Sequence, residues 1–184
     1  FRSKVMNPIY IASDIHGSLY YAKLFFEKVD KANPFKVILL GDCYYNGARN
    51  APPKDYSPKD VVILLNAHAD KIICTKGNCE SEVDQWVSEF PIVDMASLYF
   101  FDKEITACHG HHYGFDNLPK HPGDIFLQGH THVGVLEKKG DLILGNPGSV
   151  SLPKDEYHSY MVMDEKGIEL RDLLTDEVLK SVPF

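Results

Sequence analysis

The chain has 184 residues, and we expect residues 1–184 to form a single domain with a substantial core. Its 19 Lys and Arg residues against 26 Asp and Glu residues give a net charge of −7 without a basic cluster, which argues against long nucleic acids as partners. No apolar run approaches the roughly 20 residues that span a bilayer, so we expect a cytoplasmic protein that has no secretory leader and does not bind membranes.

Three short apolar runs in the first half of the chain predict strands. They cover residues 8–13, 36–40 and 71–75. Each run is rich in β-forming side chains and lacks polar alternation, which is typical of strands that are buried on both faces. Each run also ends at a polar or glycine-containing segment, so we expect loops to begin there.

Three helices are predicted between and after these strands. Apolar residues at helical spacing predict a helix over 19–31. Ser57 followed by Pro58 marks the start of a second helix, and Ser81 with Asp84 marks a third, shorter one. The first half therefore predicts a βαβαβα unit.

Beyond Pro91 the sequence changes to short β-rich runs that turn residues separate. The runs cover residues 97–101, 105–108, 125–128, 133–137, 142–144, 160–164, 168–173 and 178–182. Hairpins are expected to dominate this half, and Asn146 to Ser149 is predicted to be a turn. An alternating first half and a β-rich second half together favour an α/β fold with two packed sheets flanked by helices.

Polar side chains of metal-binding type directly follow the predicted strands. They are Asp14, His16, Asp42, Asn78, His109, His130 and His132. Sites in open α/β sheets form where strands end, so we expect these residues to converge. Oxygen and imidazole donors without thiolate suit Mn²⁺, Fe or Zn²⁺ better than Ca²⁺ or an iron–sulfur cluster. The set exceeds the needs of one tetrahedral zinc and is enough for two ions that share a carboxylate.

These residues fall into motifs whose order resembles that of the calcineurin-like metallophosphoesterase superfamily, namely Asp-x-His, Gly-Asp, Gly-Asn-His/Cys, Gly-His and Gly-His-x-His. All of these places are occupied between Ile9 and about Ser151. The length of the chain and the 146–149 segment resemble the small single-domain bacterial and archaeal phosphodiesterases of that superfamily. The resemblance implies a four-layer α-β-β-α sandwich of two mixed sheets flanked by helices.

The resemblance also implies which residues hold each metal ion and what reaction follows. One ion would be held by Asp14, His16, Asp42 and His132. The other would be held by Asp42, Asn78, His109 and His130, so that Asp42 bridges the two. A hydroxide between the ions would hydrolyse a small phosphate ester, which makes the chain a phosphodiesterase. Mn²⁺ is the expected metal, with Zn²⁺, Fe²⁺ and Ni²⁺ as alternatives.

Cys79 departs from the commonest superfamily pattern, in which a His follows the ligand Asn. We count Cys79 among the predicted catalytic residues, with Asp42, Asn78 and His109. A thiol is a weaker hydrogen-bond donor than an imidazolium and ionises at higher pH, so it assists a poor leaving group less well. Modest rates and a preference for good leaving groups are therefore expected.

Other polar residues have a structural and a functional interpretation. Arg49 lies in the predicted loop 43–57, where it either binds a phosphate in bidentate fashion or is a solvated loop residue. His111 either orients a ligand or contacts phosphate, or it faces solvent. His68 is expected at a helix C-terminus. The residues expected at the surface are His112, His121 and His158.

Two other functions are open at this point. Some superfamily relatives keep the fold as a non-catalytic scaffold that binds protein partners, although a complete ligand set argues against that role here. A nuclease that acts on long DNA is disfavoured by the acidic balance. The sequence does not fix assembly, and the edges of the second-half hairpins are where chains could pair into a homo-oligomer.

Overall fold

The computed structural model describes residues 6–184, so the first five residues of the predicted domain lie outside the described part. The helices are α1 (Leu19–Ala32), α2 (Pro58–Asn66) and α3 (Glu82–Val87). The strands are β1 (Ile9–Ala12), β2 (Lys36–Leu39), β3 (Ile72–Thr75), β4 (Ile92–Val93), β5 (Met95–Phe100), β6 (Lys103–Cys108), β7 (Ile125–Leu127), β8 (Gly134–Lys139), β9 (Leu142–Pro147), β10 (Ser159–Asp164), β11 (Gly167–Asp172) and β12 (Val178–Pro183). Every predicted helix and strand is present, and only β4 was not predicted. No helix within residues 6–184 is long and apolar enough to cross a bilayer.

Two mixed β-sheets form the framework, as predicted. The larger sheet has the strand order β12-β11-β10-β1-β2-β3-β4, and the smaller one has the order β5-β6-β7-β9-β8. The α-helical crossovers place β1, β2 and β3 in parallel, and hairpins add β10, β11 and β12 in antiparallel. In the smaller sheet, hairpins β5-β6 and β8-β9 flank parallel contacts among β6, β7 and β9. The hairpin pattern predicted for the second half therefore describes only part of that sheet.

The alternation of side chains along β1 explains why its whole sequence is apolar. Ile9 and Ile11 point between the two sheets, where they join a core that includes Ile105 and Leu127 of the smaller sheet. The intervening Tyr10 points to the opposite face and packs with helix residues. Because neighbouring residues of a strand face opposite sides, a strand buried on both faces needs a continuous apolar run.

The outer faces of the two sheets are covered in different ways. Helix α1 contributes Phe25 and Phe26 to the core on the larger sheet. On the smaller sheet, Phe126 and Leu144 are covered by Phe115 of the 109–124 segment. That segment contains no helix, so a loop forms the fourth layer of the sandwich among the described residues.

The prediction of a turn at Asn146 to Ser149 is wrong at its first two positions, because β9 extends to Pro147. Asn146 belongs to β9 and is 0% exposed. Its side-chain amide donates to the carbonyl oxygen of Gly129 and accepts from the backbone N–H of Gly148. These buried hydrogen bonds outweigh the local turn preference of the Asn-Pro pair, and the chain turns only at Gly148, where φ is +73°.

Two of the predicted surface histidines are exposed and one is not. His112 and His121 are exposed, as predicted. His158 is half-buried and stacks on Tyr21 with ring centroids 4.1 Å apart, so that prediction is wrong. His68 follows α2 and contacts the carbonyl oxygen of Leu64 through Nδ1, which confirms its position at a helix C-terminus.

Replacement of Phe126 by Ala should destabilise the chain by about 3–5 kcal/mol, because the covering loop cannot close the cavity left by a fully buried ring. Urea unfolding of the two proteins at equal metal content measures the difference. Tyr99→Ala on the same sheet is the matched control, since Tyr99 is 71% exposed and its loss should cost less than about 0.5 kcal/mol. A Phe126→Ala protein as stable as Tyr99→Ala would contradict the loop-covered core.

Candidate metal centre

The predicted ligands lie in loops that follow β1, β2, β3, β6 and β7. Backbone hydrogen bonds connect neighbouring loops within each sheet. The backbone N–H of Asp14 donates to the carbonyl oxygen of Gly41 at 3.1 Å, and the backbone N–H of His16 donates to that of Asp42 at 2.8 Å. Gly129 donates to the carbonyl oxygen of His109 at 2.8 Å. The loops are therefore fixed to one another before any ligand binds.

Most of the predicted ligands have backbone conformations that side chains normally avoid. The residues in the left-handed region, with φ between 49° and 69°, are Asp14, His16, Asp42, His130 and His132. Each such residue costs about 1–3 kcal/mol and persists only where the surrounding structure enforces it. Strain of this kind concentrates at functional sites, which makes this edge of the sheets the candidate site.

Asp14, His16 and His132 form the first cluster. The Oδ1 atom of Asp14 lies 3.3 Å from Nε2 of His16 and 3.2 Å from Nε2 of His132. The two Nε2 atoms lie 3.1 Å apart, and all three side chains are buried. No group in the described part of the chain donates a hydrogen bond to Asp14 Oδ1. A buried carboxylate oxygen in this position fits a cation, because it needs a positive partner.

Asp42, Asn78, His109 and His130 form the second cluster. Nε2 of His109 lies 3.2 Å from Oδ2 of Asp42, 3.0 Å from Oδ1 of Asn78 and 3.3 Å from Nδ1 of His130. The same Oδ2 atom of Asp42 lies 3.7 Å from Nε2 of His16 in the first cluster. Asp42 therefore lies between the two clusters.

Backbone carbonyl groups orient three of the imidazoles. The Nδ1 atoms of His16, His109 and His132 contact carbonyl oxygens at 2.7, 2.5 and 2.6 Å. A carbonyl oxygen accepts only, so each Nδ1 carries the proton of the neutral imidazole. When these imidazoles are neutral, each Nε2 directs its lone pair into the site, which is the tautomer that a metal ligand requires. The donor set of the two clusters thus fits divalent metal ions.

The charges of the two clusters depend on one another. Burial opposes the ionisation of Asp14, yet the neighbouring imidazoles of His132 and His16 hold its pKa well below the usual range. Burial also opposes protonation of His109, yet Asp42 and Asp14 raise its pKa to about 9. In the metal-free chain, protons on imidazoles therefore compensate the buried carboxylates, and a bound cation would replace them.

A cavity of about 840 Å³ opens above both clusters. Arg49 and Asn50 line it from the predicted loop, and Lys154 and Thr131 line it as well. Asn50 accepts through its backbone carbonyl from the Asn46 side chain and donates back to the Asn46 carbonyl, at 2.7 and 2.9 Å. This reciprocal pair fixes the turn that carries the exposed Arg49.

His111 lies beside the second cluster but lines a different pocket. Its ring centroid lies 5.3 Å from that of His109 and 6.2 Å from that of His130. Burial and the charge of His109 lower the pKa of His111 to about 4, so it is neutral near pH 7. Its position is therefore close to a predicted ligand and outside the cavity.

Cys79 is half-buried at the cavity wall, and its sulfur lies within 4.8 Å of the ligand atoms of His16 and Asp42. Its backbone N–H donates to Oδ1 of Asp42 at 2.9 Å. Burial and the charge of Asp42 raise the pKa of the thiol to about 12. The thiol is therefore protonated at neutral pH and is a weak acid, as predicted.

Several residues that support the site escaped the sequence analysis. Ser13 donates to Oδ2 of Asp14 at 2.5 Å, and Ser149 and Ser151 donate to its backbone carbonyl at 2.7 and 3.0 Å. Ser149 and Ser151 lie more than a hundred residues from Asp14, so no local pattern indicates them. Lys154, whose backbone N–H donates to the carbonyl oxygen of His132, was also missed, as was Glu80.

Comparisons with known proteins identify the family of this chain. The family model described as the calcineurin-like phosphoesterase superfamily domain matches residues 7–167. Phosphodiesterase YfcE of Escherichia coli (strain K12) is 37% identical over 180 residues, which cover 96% of this chain and 98% of YfcE. Phosphodiesterase MJ0936 of Methanocaldococcus jannaschii is 27% identical over 121 residues, which cover 61% of this chain and 71% of that protein.

Two solved structures share the fold of this chain. The structure of the phosphoesterase YfcE from E. coli matches with a TM-score of 0.92 at 36% identity, and it covers 96% of this chain and 98% of that one. Vacuolar protein sorting 29 from Cryptosporidium parvum matches with a TM-score of 0.68 at 16% identity, over 98% of this chain and 99% of that one. The second likeness, at such low identity, is one of fold alone.

Metal-stripped protein should lose stability as the pH rises from about 6.5 to 9, because His109 is protonated in the folded chain up to about pH 9 and in the unfolded chain only up to about 6.5. The protonated imidazole stabilises the fold below this window, and the contribution, on the order of 3 kcal/mol, disappears across it. Urea unfolding across this pH range measures the loss. His109→Gln should show a clearly smaller loss, while His121→Gln, at an exposed position, should retain it. A flat profile for the metal-stripped wild type would contradict the charge arrangement.

Proposed function

The chain belongs to the calcineurin-like phosphoesterase superfamily, and we propose that it is a metal-dependent phosphodiesterase whose two metal ions are held by the first and second clusters. The observation that carries this proposal is the position of Asp42. Its Oδ2 atom lies 3.7 Å from His16 and 3.2 Å from His109, so one carboxylate reaches both clusters. The hydrolase activity agrees with that named for the relative that is 37% identical over nearly the whole chain.

We propose that Asp42 is the ligand common to both metal ions. In the first cluster it would act with Asp14, His16 and His132, and in the second with Asn78, His109 and His130. The unpartnered Oδ1 of Asp14 and the inward lone pairs of the imidazoles support these assignments. Mn²⁺ is the proposed metal, because carboxylate and imidazole donors suit it, and Zn²⁺, Fe²⁺ and Ni²⁺ are the alternatives.

Two divalent ions, when bound, activate a water molecule and withdraw charge from a phosphate oxygen. The side chains of the chain prepare the site for that chemistry. Asp14 and Asp42 stay ionised, since the neighbouring imidazoles lower the pKa of both despite burial. Asn78 supplies a neutral oxygen at the exposed side of the second cluster, so it adds no negative charge where an anionic substrate approaches.

Arg49 is the proposed substrate contact on the cavity wall. It is exposed there, and the reciprocal Asn46 and Asn50 hydrogen bonds restrict the loop that carries it. A guanidinium held in this way can bind the oxygens of a phosphate that do not react. His111 does not line this cavity, and its ring contact with His109 supports the orienting role rather than direct contact with phosphate.

The scaffold alternative is not favoured. A scaffold would not need strained, buried side chains that direct lone pairs to one point, and such strain is maintained here at five ligand positions. The likeness to vacuolar protein sorting 29 shows a shared fold and does not change this argument. The net charge of −7 argues against long nucleic acids, and a cavity of about 840 Å³ supports a small phosphate ester as substrate.

Metal-stripped protein supplied with Mn²⁺ should hydrolyse a bis-aryl phosphate faster than the corresponding mono-aryl phosphate. Parallel assays with Zn²⁺, Ni²⁺ and Mg²⁺ identify the preferred ion. Asp42→Asn should lower kcat/KM by more than about 100-fold, because loss of even an outer partner of a metal ligand typically costs 10–100-fold. Asp141→Asn, at an exposed turn position, is the control. Absence of turnover with every metal would contradict the proposed activity and favour the scaffold.

Cys79→His should increase the hydrolysis of alkyl phosphodiesters relative to aryl phosphodiesters, since an imidazolium can protonate a poor leaving group. General acids of this kind contribute about 10²-fold or more. Cys79→Ala should leave aryl ester hydrolysis nearly unchanged, because an aryl leaving group needs little protonation. Steady-state kinetics on both ester types test this role. If both variants match wild type on both esters, position 79 takes no part in leaving-group chemistry.

A further inference from the structure

Glu80 is a buried carboxylate beside the metal centre and outside the proposed ligand set. Its Oε2 atom accepts from the backbone N–H of Asp42 at 2.8 Å and from that of Gly77. Its Oε1 atom accepts from the backbone N–H of Cys43 at 2.6 Å. The two oxygens therefore receive three donors from two separate loops, one after β2 and one after β3.

These two loops carry the central ligands of the site. The loop after β2 carries Asp42, and the loop after β3 carries Asn78. Within residues 6–184, the Lys and Arg residues that form ion pairs do so with carboxylates other than Glu80. The Glu80 carboxylate is therefore held by backbone N–H groups and not by a cationic side chain. Without that carboxylate the N–H groups of Asp42, Cys43 and Gly77 would lose their acceptor, and each unsatisfied buried donor costs about 1–3 kcal/mol.

The two loops are packed so closely that neither can move without displacing the other. A side chain at Gly77 would collide with the backbone and carboxylate of Asp42. Cys79 lies two residues after Gly77, and its backbone N–H donates to Oδ1 of Asp42 at 2.9 Å. This hydrogen bond fixes the rotation of the Asp42 carboxylate group. A shift of either loop is therefore transmitted directly to the carboxylate of Asp42.

We infer that Glu80 is a positioning residue that holds Asp42 in the orientation needed to serve both metal ions, an inference that rests on the proposed function. The role needs both carboxylate oxygens. In Glu80→Gln an NH₂ group replaces one oxygen and faces at least one backbone N–H, so donor meets donor. In Glu80→Asp both oxygens remain and only their reach is shorter.

The test is calorimetric titration of metal-stripped proteins with Mn²⁺, which reports affinity and stoichiometry without relying on activity. Glu80→Gln should bind Mn²⁺ about 10–100-fold more weakly than wild type, as expected for a residue that orients a metal ligand. Glu80→Asp, whose shorter side chain cannot reach donors on both loops equally well, should bind more weakly than wild type and more tightly than Glu80→Gln. Glu82→Gln, at an exposed position two residues along, should match wild type.

A second readout separates positioning from a general loss of structure. Excess Mn²⁺ should restore much of the kcat of Glu80→Gln, whereas it would not restore an enzyme that is simply misfolded. If Glu80→Gln fails to fold, the affinity of Glu80→Asp relative to Glu82→Gln decides the question. Wild-type affinity in Glu80→Gln would overturn this inference and leave the proposed function standing. If Glu80→Gln does not fold, wild-type affinity in a folded Glu80→Asp would have the same consequence. A wild-type protein that binds no divalent ion would overturn the proposed function as well.

Discussion

Two buried carboxylates in contact with the same imidazole constrain the whole site. Asp14 and Asp42 are 0% and 2% exposed, and Nε2 of His109 lies 4.0 and 3.2 Å from their oxygens. Carboxylates so placed stay ionised only where positive charge lies between them. Protons on the imidazoles provide that charge in the metal-free chain, and divalent ions provide it more completely. The chemistry of the site follows from this need for cations.

The packing of the two sheets determines where those charges meet. Asp14, Asp42 and Asn78 follow strands of the larger sheet. The two histidines of the second cluster, His109 and His130, follow strands of the smaller one. The apolar core between the sheets, with Ile11 opposite residues such as Ile105, holds the two sets of strand ends at a fixed separation. A close-packed core of this kind adjusts little, so the separation of the ligands is a property of the fold.

The sequence was sufficient to predict which polar residues meet at the strand ends, and insufficient to predict which residues support them. Short apolar runs followed by Asp, Asn or His indicate strand ends that share one edge, and the structure brings these residues together there. The contacts of Asp14 with Ser149 and Ser151 join residues far apart in the chain, so local patterns cannot reveal them. Asn146 shows the same limit, because its buried hydrogen bonds override a strong turn signal. The two-residue strand β4 is too short to give a periodic pattern.

The proposed metal ligands and the proposed substrate contact lie in different parts of the chain. The proposed ligands are mostly buried and their orientation is fixed by backbone carbonyls, so they tolerate little change. Arg49 and Lys154, by contrast, are exposed residues of loops at the cavity wall. Loop substitutions can therefore alter which ester enters without disturbing the charges that hold the metal ions. Cys79 lies at the boundary, because its backbone orients Asp42 while its thiol faces the cavity, so its side chain can vary only while its N–H keeps that hydrogen bond.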